Sequence, residues 1–369
     1  MLIRDAVTLL DGIFPLALQQ PYDRCGFQCG NASQELRGIL VGLDVSQEMI
    51  EEAVGLGCNL LVTHHPLLFH PLKTLGTASR VERLVHQLLG SGLVAYAAHT
   101  NADALLHGVN GALAEALGLV ACSVLEPSPA PLMQAVVYVP TTHVEEVRDA
   151  LFEAGAGALG SYREASFGVR GMGTFKPVEG AQPHTGQLGV REVVEETRLE
   201  VVFESWRQGE VQAALRKVHP YEEIAQQLYA LTQTLPYYGM GLVGDFEEPL
   251  PLKDCLQRIR EVMGCPLRHS HLDASATKSP VVRMGLCGGA GADLWTKARS
   301  AGAQVFLSSE FKHHHFLDAG SELVLVEAGH AETEIPACGR IQQLIAPKFR
   351  NFAVLLTRTN SRPASYLCS

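Results

Sequence analysis

The sequence predicts an α/β domain with a mainly parallel sheet, interrupted by an inserted ferredoxin-like (βαββαβ) domain. Two observations lead to this prediction. Continuous apolar runs alternate with helix-period segments over residues 36–118 and again from residue 281. Between these stretches the order of elements changes, and prolines mark both edges of the change. A chain of 369 residues is long enough for two or three domains of ordinary size.

The first half of the chain predicts a regular alternation of strands and helices. The run Gly38-Ile-Leu-Val-Gly-Leu-Asp44 is apolar enough for a buried strand, and Ser46 can cap a helix that ends at Gly57. The elements that follow are strand 59–63, helix 81–89, strand 93–98 and helix 109–117. Single helices between buried strands indicate a largely parallel sheet covered on both faces.

The same alternation returns near the carboxyl terminus. Its predicted elements are strand 281–287, helix 292–299, strand 305–308, helix 311–319, strand 323–327, helix 333–347 and strand 352–357. We therefore assign this stretch to the same α/β domain as the first half.

The middle of the chain has a different order of elements. It lies between Pro127-Ser-Pro-Ala-Pro131 and Pro236-Tyr-Tyr-Gly239. Its predicted elements are strand 133–139, helix 144–154, strands near 162–174 and 199–204, helix 211–218 and strand 224–229. This β-α-β-β-α-β order is that of the ferredoxin-like split unit. The predicted domains are therefore 1–127 (first half of the α/β domain), 128–235 (the insert) and 236–369 (second half).

The composition argues against several classes of protein. Hydrophobic residues make up 47% of the chain and the net charge is −10, which argues against disorder and against a dedicated nucleic-acid binder. No apolar run reaches the roughly 18 residues of a membrane span. Asp5 and Asp11 interrupt the amino-terminal apolar stretch, so we predict no signal peptide. Nine cysteines without paired C-x-x-C motifs favour reduced thiols in a cytoplasmic protein.

Histidines and carboxylates follow three of the predicted strands. Thr63-His-His-Pro66 follows strand 59–63, and His99-Thr-Asn-Ala-Asp103 follows strand 93–98. Gly329-His-Ala-Glu-Thr-Glu334 follows strand 323–327, and its histidine and final glutamate are four residues apart, on one side of a helix. Ligand sites in open α/β sheets form at the carboxyl ends of strands. We therefore expect these groups to converge.

The converging groups predict a metal site. Its five expected ligands are His64, His65, Asp103, His330 and Glu334. Nitrogen and carboxylate ligands without cysteine suit Zn, Mn, Fe or Co better than a structural zinc cage. A carboxylate such as Glu334 can bridge two ions. The prediction is therefore two divalent metal ions per chain.

Further residues are candidates for supporting roles. His99 and Glu310, which follow strands 93–98 and 305–308, are candidate catalytic residues for proton transfer or for contacts to the ligands. Five more histidines are expected mostly on solvated surfaces, with at most one of the last three near the site: His70, His107, His313, His314 and His315.

Each of two short motifs has two possible interpretations. The glycine-rich stretch Gly285-Leu-Cys-Gly-Gly-Ala-Gly291 joins a strand to a helix, and it is either a tight turn or an anion site. The motif His219-Pro-Tyr-Glu-Glu223 is either a helix-to-strand turn or a pair of ligands.

Together these motifs resemble those of the GTP cyclohydrolase 1 type 2 family, also called Nif-three-like proteins. The likeness covers essentially the whole chain. Besides the three ligand motifs, it is carried by Tyr22-Asp-Arg-Cys-Gly-Phe-Gln-Cys-Gly30, Gly288-Gly-Ala-Gly291 and Ser309-Glu310. The insert is similar to a domain of longer bacterial members that resembles the CutA and PII proteins, and this likeness is carried by Pro140, Gly155-Ala-Gly157, Gly160-Ser-Tyr162 and His219–Glu223.

The chain departs from the family pattern at two places. Tyr22-Asp23-Arg24 stands where the family often has Trp-Asp-Asn, and Ser308-Ser309 stands where it usually has Thr-Gly. Neither change touches an expected ligand, so the metal prediction is unaffected.

The resemblance implies a function as well as a fold. It implies a dinuclear metal site at the five residues above and a toroidal homohexamer built as a trimer of dimers. It also implies opening of the guanine ring of GTP with release of formate, by attack of a metal-activated water. The expected partners are a small-molecule substrate such as a nucleotide and further copies of the chain, with no membrane and no nucleic acid.

Two alternative functions stay open from the residues alone. The same site suits a metal-dependent phosphoesterase, because the fold does not select the substrate. The chain could also be a non-enzymatic, metal-responsive binding or scaffold protein whose insert senses a ligand.

Overall fold

A computed structural model describes residues 1–129, 132–233, 235–270, 279–359 and 362–363. The chain divides into two compact units, Met1–Ser128 with Pro236–Ser369 (unit 1) and Pro129–Leu235 (unit 2). Among the described residues, no helix has both the length and the apolar character to cross a membrane.

The elements of unit 1 come from two segments of the chain. The first segment contains α1 (Ile3–Ile13), β1 (Gly26–Cys29), β2 (Gly38–Gly42), α2 (Gln47–Leu56), β3 (Leu60–Thr63), α3 (Arg80–Gly90), β4 (Val94–Ala97), α4 (Thr100–Asp103), α5 (Val109–Leu117) and β5 (Leu119–Pro127). Unit 2 follows with β6 (Leu132–Pro140), α6 (Val144–Glu153), β7 (Ser166–Phe175), β8 (Glu192–Glu204), α7 (Gln208–Val218) and β9 (Gln226–Ala230). The second segment of unit 1 contains β10 (Gly239–Leu250), α8 (Leu252–Met263), β11 (Arg268–His269), β12 (Val281–Leu286), α9 (Trp295–Ser300), β13 (Val305–Ser308), α10 (His313–Asp318), β14 (Val324–Glu327), α11 (His330–Ile345) and β15 (Ala353–Leu356).

Unit 1 contains two mixed sheets. The first has the strand order β1-β4-β3-β2-β15, in which β1 is antiparallel to β4 and the other neighbours are parallel. The second has the order β11-β14-β13-β12-β10-β5, in which β12, β13 and β14 are parallel to one another. Its remaining neighbours are antiparallel.

The prediction of one mainly parallel sheet therefore needs correction. In the sequence, Pro236-Tyr-Tyr-Gly239 with Gly241 and Gly244 marks the end of the insert, and no strand is predicted there. These glycines instead lie in β10, which pairs antiparallel with both β5 and β12. Antiparallel neighbours need no crossover helix, so the alternation of strands and helices did not reveal them.

Four of the described parallel strands of unit 1 are fully buried, and neighbouring parallel strands end side by side. Every residue of β2, β3, β4 and β13 is buried, which is why these strands read as continuous apolar runs. In the first sheet Gly42 lies opposite Thr63, and Thr63 lies opposite Ala97. In the second sheet Ser308 lies opposite Glu327. The residues that follow these positions are therefore brought to one edge of each sheet.

Unit 2 is a four-stranded antiparallel sheet with two helices. Its strand order is β7-β8-β6-β9, and its elements follow the chain order β6-α6-β7-β8-α7-β9. Side chains from β6 and β8 form one core with side chains from α6 and α7, among them Val137, Leu199, Val147 and Leu215. The two helices thus cover one face of this sheet.

Candidate metal centre

The candidate site lies at the carboxyl ends of strands from both sheets of unit 1. His64 and His65 directly follow β3, and His99 follows β4 by one residue. His330 opens α11, and two residues separate it from the end of β14. The two sheets therefore contribute to one cluster of side chains. The sequence had predicted that these side chains follow strands of one sheet.

Glu334 lies at the centre of the cluster. Its Oε2 is 2.8 Å from His65 Nε2 and 3.1 Å from His330 Nε2. Its Oε1 is 3.6 Å from His64 Nε2, and that nitrogen is 3.8 Å from Asp103 Oδ1. The structure thus brings together all five residues that were predicted as ligands. One oxygen of Glu334 faces His64 and Asp103, and the other faces His65 and His330.

Each imidazole is oriented by an oxygen on its outer side. The four pairs, from Nδ1 to the acceptor, are His64 to Ala98 O (2.8 Å), His65 to Asp44 Oδ1 (2.9 Å), His99 to Asp23 Oδ1 (2.8 Å) and His330 to Glu310 Oε1 (2.8 Å). Such an acceptor holds the proton on Nδ1 and leaves the lone pair of Nε2 for a metal ion. This pattern is typical of histidines that bind metals.

The donor set fits a divalent metal ion. His64 is fully buried, yet its Nε2 has no hydrogen-bond partner among the described residues. A buried ring nitrogen without a partner is costly, so a ligand for it is expected. Metal–ligand distances near 2.0–2.1 Å place tetrahedral ligand atoms about 3.3 Å apart, which is close to the separations around Glu334. Among the described residues, two overlapping groups could hold an ion: His64, His65 and His99, and His65, His330 and Glu334.

The charges of the cluster compensate one another. Burial of Glu334 favours its neutral form, but hydrogen bonds from His330 and His65 and the nearby His64 imidazole keep its pKa well below the usual range. Burial lowers the pKa of His65, but Asp44 and Glu334 outweigh that effect and raise its pKa to about 10. The Glu334 hydrogen bond raises the pKa of His330 to about 9. The centre therefore favours positive charge beside Glu334.

The two candidate catalytic residues occupy different places. The ring centroid of His99 is 5.1 Å from that of His64 and 5.5 Å from that of His65, so His99 lies within the cluster. Glu310 lies behind His330 and is largely exposed, with a backbone φ of 61°. A non-glycine residue in this left-handed region is strained, and such strain often occurs at functional sites.

Two carboxylates that support the cluster were missed by the sequence analysis. Asp23 is buried, and it accepts hydrogen bonds from His99 Nδ1 and from the Thr100 amide (3.1 Å). Burial favours its neutral form, but the pKa of Asp23 is lowered because His99 and Thr100 donate to it. Asp44 could have been found, because it ends the apolar run assigned to β2 and carboxylates at such ends are typical ligands or ligand partners.

The glycine-rich motif forms a tight turn against the cluster. The Gly288 amide donates to Asn110 Oδ1 (2.9 Å), and the Gly289 amide donates to Thr333 Oγ1 (2.9 Å). Gly289 has a φ of +61°, and a Cβ built on it would collide with Glu334 Oε1. These amides are therefore used inside the protein, and Gly289 leaves the space that the Glu334 carboxylate occupies.

The five histidines that were predicted mostly on solvated surfaces lie outside the cluster. His70 and His107 are exposed. His315 is buried, but its Nδ1 accepts a hydrogen bond from the Lys312 amide (3.3 Å) and its Nε2 is 3.5 Å from Asp293. It therefore helps to start α10, and its neighbours His313 and His314 are exposed.

Comparison with known proteins places this geometry in a family. A family model described as Duf34/NIF3 (NGG1p interacting factor 3) matches residues 1–363. The chain is 35% identical over 354 residues to a Mycobacterium leprae protein named GTP cyclohydrolase 1 type 2 homolog, covering 94% of this chain and 90% of that protein. It is 34% identical over 366 residues to the Bacillus subtilis protein of the same name, covering 98% and 97%.

Solved structures give the same result. A Bacillus cereus protein related to NIF3 matches with a TM-score of 0.87 and 31% identity over 100% of this chain and 99% of that one. A Staphylococcus aureus structure matches with a TM-score of 0.75 and 24% identity, again over 100% and 99%, which supports the fold. The chain belongs to the Duf34/NIF3 family.

Proposed function

We propose that this protein is a metal-dependent hydrolase in which His64, His65, Asp103, His330 and Glu334 would hold two divalent ions, Zn or else Mn, Fe or Co. The observation that carries the proposal is the position of the buried Glu334 carboxylate, whose two oxygens face different sets of ligand atoms. His64 and Asp103 are on the Oε1 side, and His65 and His330 are on the Oε2 side. A bridging carboxylate between two sets is typical of dinuclear hydrolytic sites.

The residues of the chain then have separate tasks. Bound divalent ions supply Lewis-acid activation of water and substrate. Asp44 and Glu310 keep His65 and His330 in the tautomer that binds metal. His99, oriented by Asp23, is placed to take or give a proton beside the cluster. A cavity of about 450 Å³ lies against His330 and Glu310 and offers room for a substrate.

The substrate that we propose is GTP, opened with release of formate. The support is the name of the relatives, GTP cyclohydrolase 1 type 2 homolog, together with the metal centre. The purified protein, loaded with each candidate metal, should be assayed for formate from GTP and for phosphate-ester cleavage. Formate that requires Glu334 supports GTP ring opening, and ester cleavage without formate supports the phosphoesterase alternative. No turnover of either substrate, with metal bound, would favour the scaffold alternative.

Metal content tests the centre independently of activity. We expect about two ions per chain in the wild type by mass spectrometry, since one bridging carboxylate serves two ions. His65→Ala should lose most of this metal. His107→Ala removes an exposed histidine away from the cluster and should keep it. A metal-free wild type after incubation with Zn or Mn would contradict the proposal.

We also propose that residues 128–235 form an inserted ferredoxin-like domain and that the protein assembles as a toroidal homohexamer. The element order and the antiparallel strand order of unit 2 support the first proposal. The family membership supports the second. Light scattering on the purified full chain should give about six times the mass of one chain, and a monomeric mass would contradict the hexamer.

A further inference from the structure

Unit 2 contains a cavity that the proposed function does not use. Its volume is about 340 Å³, and it lies where the turn after α7 meets the ends of β7 and β8. Phe175, His184 and Tyr221 contribute rings to its lining, and Glu196 and Glu222 contribute carboxylates. A volume of this order suits a small molecule.

The His219-Pro-Tyr-Glu-Glu223 motif builds one wall of this cavity. His219 is buried, and it accepts a hydrogen bond from the Tyr221 amide (3.1 Å) while its other ring nitrogen contacts Tyr138 O (3.1 Å). The Tyr221 backbone is thereby fixed, and the centroid of its ring lies 6.1 Å from that of Phe175 and 6.2 Å from that of His184. The motif is thus a turn that holds an aromatic cluster in place.

A carboxylate is held beside these rings. The Tyr221 hydroxyl donates to Glu196 Oε1 (2.9 Å), and no hydrogen bond within the described part of the chain reaches Glu196 Oε2. Burial and Glu196 raise the pKa of Tyr221, so its hydroxyl remains a donor. Gly173 faces the carboxylate, and a Cβ on it would collide with Oε2. The sequence therefore leaves space for Glu196 and fixes one of its two oxygens.

The charge of the cavity is negative. Glu196, Glu222 and Glu223 line it together with one cation, Lys176. Glu222 also accepts a hydrogen bond from the Gln182 amide (2.8 Å), which ties the segment between β7 and β8 to the cavity. An anionic ligand would meet these carboxylates unfavourably.

We propose that this cavity binds a small, flat organic cation, such as an amidinium, a guanidinium or a protonated heteroaromatic amine. Cations are attracted to aromatic faces, and planar cations form paired hydrogen bonds with a carboxylate. A metal ion is a poorer occupant, because the described groups that can hold one are His64, His65 and His99 and His65, His330 and Glu334, all in unit 1. The proposal does not depend on the function of the metal centre.

Benzamidine and benzoate test the proposal on the full-length protein. The two molecules share a flat shape and differ in the sign of their charge. We expect calorimetric titration to detect benzamidine binding in the millimolar range and no benzoate binding. Glu334→Gln should leave benzamidine binding unchanged, which separates this site from the metal centre.

Variants of one strand supply the matched controls. Glu196→Gln keeps the size of the side chain and should weaken benzamidine binding by at least about tenfold, because it removes the charge of the pair. Glu195→Gln changes the preceding residue of β8, which points to the opposite face and is exposed, and should have no effect. Thermal unfolding checks that both variants fold.

Three results would overturn the proposal. They are equal or tighter binding of benzoate, equal benzamidine affinity of wild type and folded Glu196→Gln, and no benzamidine binding to the wild type. The first would indicate an anion site, the second an occupant that does not use Glu196, and the third a cavity without this ligand class. If Glu196→Gln did not fold, the comparison of the two ligands on the wild type would still decide the matter.

Discussion

Glu334 combines deep burial with ionisation, and the residues around it explain how. Its side chain is 4% exposed, and an isolated charge at such a position would be costly. Three imidazoles offset that cost, and each is itself held by an oxygen on its outer side. The site is therefore a network in which changes at outer residues should reach the ligands.

Gly289 provides a test of the space around Glu334. Gly289→Ala should reduce metal content strongly, because the new Cβ would displace the Glu334 carboxylate. Gly264→Ala is the matched control, since Gly264 has a φ of +63° and nothing within 4 Å of an added Cβ. Both variants should lose about 1–2 kcal/mol of stability from the left-handed backbone. Metal analysis should separate them, and equal metal loss would contradict the role of Gly289.

Asp44 provides a test of ligand orientation. Asp44→Ala should lower metal affinity by about 10- to 100-fold, because His65 would lose the acceptor that fixes its tautomer. Asp44→Asn keeps an oxygen at the same place and should restore part of the affinity. Competition with a chromophoric chelator measures both. Unchanged affinity in the alanine variant would show that Asp44 does not orient the ligand.

The residues of the site were predictable to different degrees. The five expected ligands could be named because they belong to the segments that follow β3, β4 and β14, and ligand sites form at the carboxyl ends of strands: His64, His65, Asp103, His330 and Glu334. Asp23 carried no comparable signal. It precedes β1 in an irregular segment, and its partner His99 is 76 positions away in the sequence. A hydrogen bond between such distant residues depends on the tertiary fold, which local patterns do not describe.

Among the helices, α3 shows a charge-dependent cap. Ser79 Oγ accepts from the Glu82 amide (3.2 Å), and Glu82 Oε2 accepts from the Ser79 amide (2.9 Å). A hydrogen bond from Thr74, with further ones from the Ser79 and Gly76 amides, lowers the pKa of Glu82 from 4.5 to about 2. This box closes the amino terminus of the helix.

The depressed pKa makes the contribution of Glu82 depend on pH. The stabilisation is complete above the unfolded-state pKa of 4.5 and is lost as the pH falls from there toward 2. Glu82→Gln should therefore be less stable than wild type at pH 7, and the difference should shrink below pH 4.5. Urea denaturation at several pH values measures it, with exposed Glu322→Gln as control. A difference that is constant with pH would contradict the assignment to the ionised carboxylate.

Most helices and buried parallel strands of residues 38–117 and 281–357 could be predicted, whereas the helices α1 and α8 and the glycine-containing strand β10 could not. The predicted helix 109–117 has the same bounds as α5, and strand 305–308 has the same bounds as β13. The sequence did not predict β5 or β10. β10 carries three glycines, and its buried and exposed residues do not alternate regularly. The pairing of β10 with strands from both segments is a tertiary feature that stabilises a glycine-rich stretch against its local preference.

For the molecule as a whole, metal binding should contribute to stability. The metal centre joins residues that are 269 positions apart in the chain, so the unfolded chain does not present the site. Free metal at about 100 times its dissociation constant would stabilise the folded state by about 2.7 kcal/mol. A chelator should therefore lower the melting temperature of the wild type. Glu334→Gln should show little response to chelator, and an equal response would contradict the assignment.

The overall architecture was predictable only in its parts. The α/β character of both segments of unit 1 follows from buried strands alternating with helices. Their division into two sheets could not be predicted, because the sequence of a strand does not show which other strands it pairs with. The meeting of both sheets at Glu334 and His65 is therefore information that the folded structure adds.

The position of unit 2 in the chain has a consequence for biosynthesis. His64, His65 and Asp103 are synthesised before unit 2, and His330 and Glu334 are synthesised after it. A nascent chain therefore holds only three of the five expected ligand residues until His330 and Glu334 have been added. Products that terminate before residue 334 lack the Glu334 carboxylate, so under the proposed function tight retention of metal would mark a chain translated beyond unit 2.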